Sequence, residues 1–327
     1  MSNRLRLFLE TVRFEHTIFA LPFAYLGMIL AANWPPEVVP YACQCSHVPM
    51  LYGAALCQGE AHIAGLYACL PAQAGSVRWP GWWQVVWITI AMAAARTLGF
   101  AINRYADRAY DARNPRTAGR PLPSRRMSPR TTLGYAMVAL AALVIAAWQL
   151  NFMTLMLLPG AIVLLIGYSY TKRFTWLSHW VLGATDGLAP AGAWVAVRAR
   201  IDAPAWLLWL AVTCWIAGFD LIYACQDTEF DLNQRLHSVP ARFGNTVALR
   251  LARLNHLLAV LLLTALGLTM GLGWAYWAGL VAVAILLAYE HSLVSPHDLS
   301  RVNIAFFNVN GYIAVVMFVA TLAALYV

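Results

Sequence analysis

Charge is scarce in this sequence. Asp, Glu, Lys and Arg make up 11% of its 327 residues, where soluble globular proteins carry about 25%. Acids are the scarcer sign, at 14 against 22 Lys and Arg. This excludes an ordinary water-exposed globule. Cysteine is sparse as well, and it does not fall into paired C-x-x-C elements. Cys43, Cys45 and His47 therefore match no standard zinc pattern. Cys214 and Cys225 share one apolar run and read as core packing. No inverted internal repeat is visible. The small basic excess sits in loops, where it reads as topology and anion binding and gives no reason to invoke nucleic acid.

What the chain has in place of charge is apolar length. Hydrophobic residues make up 61% of it. Nine runs, at roughly 14–33, 82–103, 131–150, 152–170, 178–197, 204–225, 247–270, 272–290 and 302–326, approach or exceed the ~20 residues that cross a bilayer. Unbroken runs of this kind satisfy their backbone in lipid as helices. The expected fold class is all-α: a polytopic membrane protein of nine transmembrane helices, one domain over 1–327. Arg4, Arg6 and Arg13 precede the first run without a small-residue cleavage site after it, so that run is expected to stay. With nine spans, the N-terminus and the loops after the even-numbered spans share one side, which holds most of the arginines. The positive-inside rule places that side in the cytoplasm of a cell (inner) membrane.

The 34–81 stretch stands apart. It holds six prolines, four cysteines, His47 and His62. It is expected to be an atypical extracytoplasmic insertion without catalytic chemistry, with room for a disulfide on the oxidising side. Glu15 and His16, at the start of the first run, read as interfacial polar residues.

The charge that exists is concentrated. Residues 103–130 contain Asp107, Asp111 and eight arginines, ten of the 36 charged residues in the chain. Asn103, Asp107 and Asp111 stand at i, i+4 and i+8, so they form a stripe on one helix face. Arg96 lies two turns further into the span on the same stripe, and an intramembrane arginine is a functional candidate by default. After Asp111, a run of Asn, Pro and Gly reads as a loop. A second stripe, Asp220, Asp227 and Asp231 with Tyr223 between them, closes the sixth run. The fourth run ends in Tyr168, Tyr170, Lys172 and Arg173. Asp186, midway along the fifth, reads as partner to a buried polar group. Glu290, His291 and Asp298, in a late loop, read as interfacial charge.

Two carboxylate stripes on one side suit Mg²⁺, which binds a few carboxylates together with substrate phosphates. Neighbouring arginines and lysines suit the remaining phosphate oxygens. An apolar interior suits a hydrocarbon tail. The ligand these features describe is a diphosphate with a lipid chain. A transporter of an organic anion or lipid phosphate is the alternative from another class, disfavoured because the polar groups collect at one face and not at the midplane.

NRYADRAYD resembles the first aspartate-rich motif of the UbiA superfamily of intramembrane prenyltransferases, and DLIYACQDTEFD resembles the second. RNPRTAGRPLP, YSYTKRF, LHSVPARFG and YEHSLV…DLSRVN are similar to that family's flanking segments. The resemblance spans nearly the whole chain except 34–81. It implies nine helices around a central cavity and transfer of a polyprenyl group from its diphosphate to an aromatic ring, with two Mg²⁺ ions. Asn103, Asp107 and Asp111 would hold one ion, and Asp227 and Asp231 the other, with Asp220 orienting the second site. Arg120, Lys172 and Arg173 would neutralise the diphosphate. Tyr168, Tyr170 or Tyr223 would stabilise an allylic cation, and Arg96 would meet an acceptor carboxylate. Arg104 departs from the first motif, which often has an acid at that place. The acceptor stays open between 4-hydroxybenzoate, on the ubiquinone route, and a naphthoate-type dicarboxylate. The latter belongs to a UbiA-like branch linked to menaquinone made through futalosine, which FEHTIFALPFAY and FDLIYACQDTEFD resemble. Expected partners are these two substrates and the lipid bilayer, with no obligate protein partner.

Overall fold

The computed structural model describes residues 7, 10–11, 17–34 and 77–326. Glu15, His16, the N-terminal arginines, the four early cysteines and most of the 34–81 stretch lie outside the described residues. The chain forms α1 (Thr17–Asn33), α2 (Trp82–Asp111), α3 (Pro129–Leu150), α4 (Phe152–Thr171), α5 (Ser178–Arg198) and α6 (Ala203–Ala224). A 3₁₀ turn (Cys225–Asp227) leads into the short α7 (Thr228–Asn233) and α8 (Val239–Phe243). Then come α9 (Asn245–Met270), α10 (Trp274–Ser292), a π-helical turn (Ile304–Val309) and α11 (Asn310–Ala324). Among the described residues, the only β pairing is one bridge between Ser295 and Asp298.

Seven of these helices are long and apolar enough to cross a membrane. The nine expected runs each correspond to a helix in sequence, but α1, at 17 residues, and α5 fall outside the seven. In α5 the polar residues His179, Thr185 and Asp186 interrupt the apolar pattern. The chain is a multi-pass membrane protein.

The boundaries follow local chemistry. Ser128 accepts from the Thr131 N–H and Pro129 opens α3, as suits a first-turn proline. Asn151 caps α4 in the same way, through the Thr154 N–H. Its side-chain amide also donates to the carbonyls of Val195 and Ala196 at 2.9 Å, tying the α3–α4 turn to the end of α5. Gly271, at φ +63°, takes the left-handed position that ends α9.

Packing is uneven. One large core joins α1, α5, α6, α9, α10 and α11, with Trp194, Leu208, Leu221, Ile222, Tyr276 and Met317 fully buried. Cys225 is in this core and Cys214 packs against it, as their sequence context suggests. A smaller, alanine-rich core joins α2, α3 and α4. In lipid the apolar effect between helices fades, so close packing has to hold them together, and small residues allow it. A Cβ at Gly27 would stand 2.3 Å from the Pro190 carbonyl oxygen, and one at Gly183 would stand 2.3 Å from that of Thr213. The α1–α5 and α5–α6 contacts are therefore made backbone to backbone.

Candidate active site

The two acidic stripes meet at one end of the bundle. The 112–128 loop makes the junction. It folds back over the end of α2, where the Thr117 hydroxyl donates to the Asp111 carbonyl. Arg120 donates to Asp111 Oδ1 at 2.8 Å, and Arg104 stands 4.0 Å from Oδ2. From the same loop, Arg116 grips Asp227 with both Nε and Nη2 and donates from Nη1 to the Tyr223 hydroxyl at 2.9 Å. Asn114 adds a hydrogen bond to Asp227 Oδ1 at 3.2 Å. Arg113 reaches Gln234, just past α7. The loop thus spans from the first acidic stripe to the second.

The end of α4 supplies the other cations. Arg173 lies 3.8 Å from Asp107 and donates to the Ala106 carbonyl at 2.8 Å. Asp107 also accepts from the Asn103 amide at 3.0 Å. Lys172, the only lysine in the sequence, stands 3.8 Å from Asp231. Burial works against its ammonium charge. The carboxylates of Asp231, Asp220, Asp227 and Asp107 outweigh that and raise its pKa. Lys172 therefore pairs with the second stripe and lies within electrostatic reach of the first. Arg116 is held in the same way: burial opposes its charge, and Asp227, Tyr223 and Asp111 restore it.

The second stripe departs from a simple helix face. The 3₁₀ turn at Cys225–Asp227 breaks the helix between Asp220 and Asp231. Asp220 is committed elsewhere, since its Oδ2 is 2.6 Å from Nδ1 of His179 on α5. The opposite ring nitrogen accepts from the Val239 N–H at 3.3 Å, so Nδ1 carries the proton and donates to Asp220.

Beside this polar cluster lies a cavity of about 400 Å³ between α2, α3, α4, α5 and α6. Its wall is mostly apolar, with Arg96, Tyr168, Thr185 and Asp186 among the exceptions. The Tyr168 hydroxyl donates to the Gly99 carbonyl at 3.0 Å, which fixes its ring on the cavity wall. Arg96 and Asp186 both line this cavity, so the two opposite charges share one wall. Pro190 removes the intrahelical donor for the Asp186 carbonyl, leaving further polarity in this wall.

Of the three expected tyrosines, Tyr168 alone lines the cavity. The Tyr170 ring lies under Arg173, at 4.7 Å from the guanidinium carbon to the ring centre. Tyr223 lies under Arg116 and stacks on Phe306. Arg116, Asn114 and His179 are additions that sequence spacing did not single out.

The donor set fits a hard cation. Among the described residues, no three acidic, His or Cys side chains converge on one point. Each carboxylate is instead drawn to an arginine, lysine or histidine. Yet Asp111 Oδ2 and Asp231 Oδ2 are buried without a hydrogen-bond partner. Carboxylate oxygens of this kind, near a cation but without a hydrogen bond, are hard ligands suited to Mg²⁺.

Helices packed around an apolar cavity, with acids and cations gathered at one end, make an arrangement suited to a membrane enzyme. Residues 62–322 match the family model of the UbiA prenyltransferase family. The chain is 34% identical over 256 residues to a 4-hydroxybenzoate octaprenyltransferase of Citrobacter koseri, covering 73% of this chain and 87% of that one. It is 37% identical over 227 residues to the Enterobacter sp. protein of the same name, covering 68% and 76%. A UbiA homologue of Aeropyrum pernix K1, solved in its apo form, superposes with a TM-score of 0.74 at 27% identity, over 94% of this chain and 98% of that one. A homologue of Archaeoglobus fulgidus, bound to DMAPP and Mg²⁺, shares the fold with a TM-score of 0.67 at 17% identity, over 98% and 99%. This chain belongs to the UbiA prenyltransferase family, and it is a prenyltransferase, not a transporter.

Proposed function

We propose that this enzyme transfers a polyprenyl group from polyprenyl diphosphate to an aromatic carboxylic acid of the 4-hydroxybenzoate kind, with Mg²⁺, on the route to ubiquinone. The observation that carries this reading is the charge balance of the site. Asp107, Asp111, Asp220, Asp227 and Asp231 face Arg104, Arg116, Arg120, Lys172 and Arg173. The site is close to neutral as it stands. A diphosphate brings several negative charges into a partly buried space, where they are poorly screened. Added cations are needed to hold it. The Archaeoglobus homologue, bound to DMAPP and Mg²⁺, and the relatives named for 4-hydroxybenzoate support the same reading.

Asn103, Asp107 and Asp111 would hold one Mg²⁺, and Asp227 and Asp231 a second. When bound, the ions would neutralise the departing diphosphate. The chain's own cations do the rest. Arg116 and Arg120 exchange their carboxylates for phosphate oxygens, and Lys172 and Arg173 approach from α4. As the carbon–oxygen bond breaks, Tyr168 faces the allylic cation from the cavity wall. The apolar wall holds the tail and keeps water from the cation. Arg96 pairs with the acceptor carboxylate and aims the ring at the allylic carbon. The ring carbon attacks, and the proton at that carbon leaves. His179 keeps Asp220 turned toward α5, outside the two ligand groups. Following the arginine bias of the sequence, this end of the bundle faces the cytoplasm at an inner membrane.

Mass spectrometry of the products formed from one polyprenyl diphosphate and a mixture of aromatic acids tests the reading. A prenylated 4-hydroxybenzoate is the expected product. A prenylated naphthoate alone would replace the acceptor, and free alcohol alone would refute acceptor prenylation. Arg96→Ala is expected to raise the acceptor KM by about 10²-fold, the loss of a charged hydrogen bond, and to leave the diphosphate KM nearly unchanged. Equal rises in both would remove Arg96 from the acceptor site.

A further inference from the structure

One buried polar cluster takes no part in the chemistry above. Glu290, near the end of α10, is fully buried. It does not belong to the interfacial charge expected from sequence, whereas Asp298 is exposed. Glu290 Oε1 accepts from the side-chain amide of Asn310 at 3.0 Å. Asn310 is also fully buried, and its Oδ1 accepts from the Trp215 indole at 2.8 Å. The same amide nitrogen lies 3.1 Å from the Ala305 carbonyl and 3.2 Å from that of Phe306. His256 packs on Gly218 and joins His291 at 3.0 Å. Its Nδ1 stands 3.9 Å from Glu290 Oε2.

These contacts surround the π-helical turn Ile304–Val309. A π turn is a rare local widening, often found at functional sites. Here the Asn310 side chain meets two of its carbonyls, and Glu290 holds Asn310 in place. The turn presents Phe306. Its ring centre lies 4.2 Å from that of Tyr223 and 5.2 Å from that of Phe219. Tyr223 in turn accepts from Arg116, which grips Asp227.

We propose that Glu290 and Asn310 are positioning residues for the prenyl diphosphate site, acting through the π turn and the Phe306–Tyr223 stack on Arg116. The inference rests on the functional reading above. A buried carboxyl inside a membrane helix is expensive to keep, and a leucine would fill the space more cheaply. What leucine lacks is an acceptor for the Asn310 amide. Without that acceptor Asn310 keeps only the Trp215 indole and the turn carbonyls, the turn loses its tie to α10, and Phe306 fixes the Tyr223 ring less firmly. Arg116 then meets the diphosphate from a looser mount. The acceptor pocket at Arg96 lies on α2 and does not use this path.

The test compares wild type with Glu290→Leu, Glu290→Gln and Phe306→Leu in detergent. It reads the KM of each substrate, equilibrium binding of labelled prenyl diphosphate with Mg²⁺, and thermal stability. Glu290→Leu and Phe306→Leu are expected to raise the diphosphate KM and Kd by about tenfold, the scale of one lost hydrogen bond or contact. The acceptor KM should hold within about twofold on the same scale. Glu290→Gln keeps an acceptor oxygen and should recover most of the affinity. A fall in stability with unchanged Kd, equal rises in both KM values, or glutamine behaving as leucine does would overturn the proposal. If Glu290→Leu fails to fold, Phe306→Leu decides by the same ratio. A wild type that binds the diphosphate but prenylates no aromatic acid would refute the acceptor reading alone, because the binding ratios still judge Glu290.

Discussion

Asp227→Ala is expected to reduce turnover by about 10³-fold or more, the scale of removing one preorganised charged group from a transition state. Asp227 receives Arg116 and Asn114 from the loop and lies within the influence of Lys172. It is where the loop, α4 and the second stripe share one charge. Alanine removes a proposed metal ligand and, in the same step, releases the loop. The fold should survive, because the Arg116 side chain is 32% exposed and water can take up its freed donors. A thermal melt close to wild type, with product formation near background in a Mg²⁺ assay with labelled polyprenyl diphosphate, is the expected pair of results. Full activity in this variant would remove Asp227 from the site.

Replacing Lys172 with Gln should have the next largest effect. The residue is the sole lysine; its ammonium pairs with Asp231 at 3.8 Å and feels the charge of Asp220, Asp227 and Asp107 as well. Glutamine leaves the site with an uncompensated negative charge before any substrate arrives. Binding an anionic diphosphate then becomes harder, and the leaving group loses a counter-charge as it departs. The expected loss is about 10²-fold in kcat/KM for the prenyl diphosphate, with the diphosphate KM raised and the acceptor KM little changed. Lys172→Arg should recover part of it, since charge returns without the compact point geometry of an ammonium. Steady-state kinetics at varied diphosphate concentration would decide. An unchanged diphosphate KM in Lys172→Gln would leave Lys172 as a structural ion-pair partner only.

Much of this site can be read from spacing. Asn103, Asp107 and Asp111 stand out because a helix repeats every 3.6 residues and because charge is rare around them. The end of α4 stands out for the same reason. Arg116 and Asn114 do not, because loop residues have no period. Seven other arginines in the same 28 residues look equivalent until the loop folds back on Asp227. His179 is a single polar residue at the start of an apolar run, with no spacing to mark its bond to Asp220. The break at Cys225–Asp227 carries no proline or glycine to announce it. Glu290 misleads most: near the end of a run it looks interfacial, yet it is fully buried, bonded by Asn310 of α11 and flanked by His256 of α9. The helix order is legible from apolar length, whereas the depth of a polar group depends on which distant helices pack around it.

The uneven packing has a consequence for motion. The backbone contacts at Gly27 and Gly183 lock α1, α5 and α6 to one another, and the same large core takes in α9, α10 and α11. The three helices on the other side share a small, alanine-rich core, α2 also packs on α1 and α5 through Ile88, and the lipid-crossing window of α4 is just 11% buried. Few of the side chains of α4 are buried, so separating it from its neighbours sacrifices less dispersion energy than separating any helix of the large core. Local opening is then cheapest on that side, as in any fold whose cooperative units differ in contact density. The second acidic stripe rides on the stiff unit; the first stripe, Lys172 and Arg173 ride on the compliant one. The 112–128 loop, with Arg116 on Asp227, joins the two. The bilayer would act on the enzyme as a mechanical load carried mainly by one half, with the reacting groups placed along the seam.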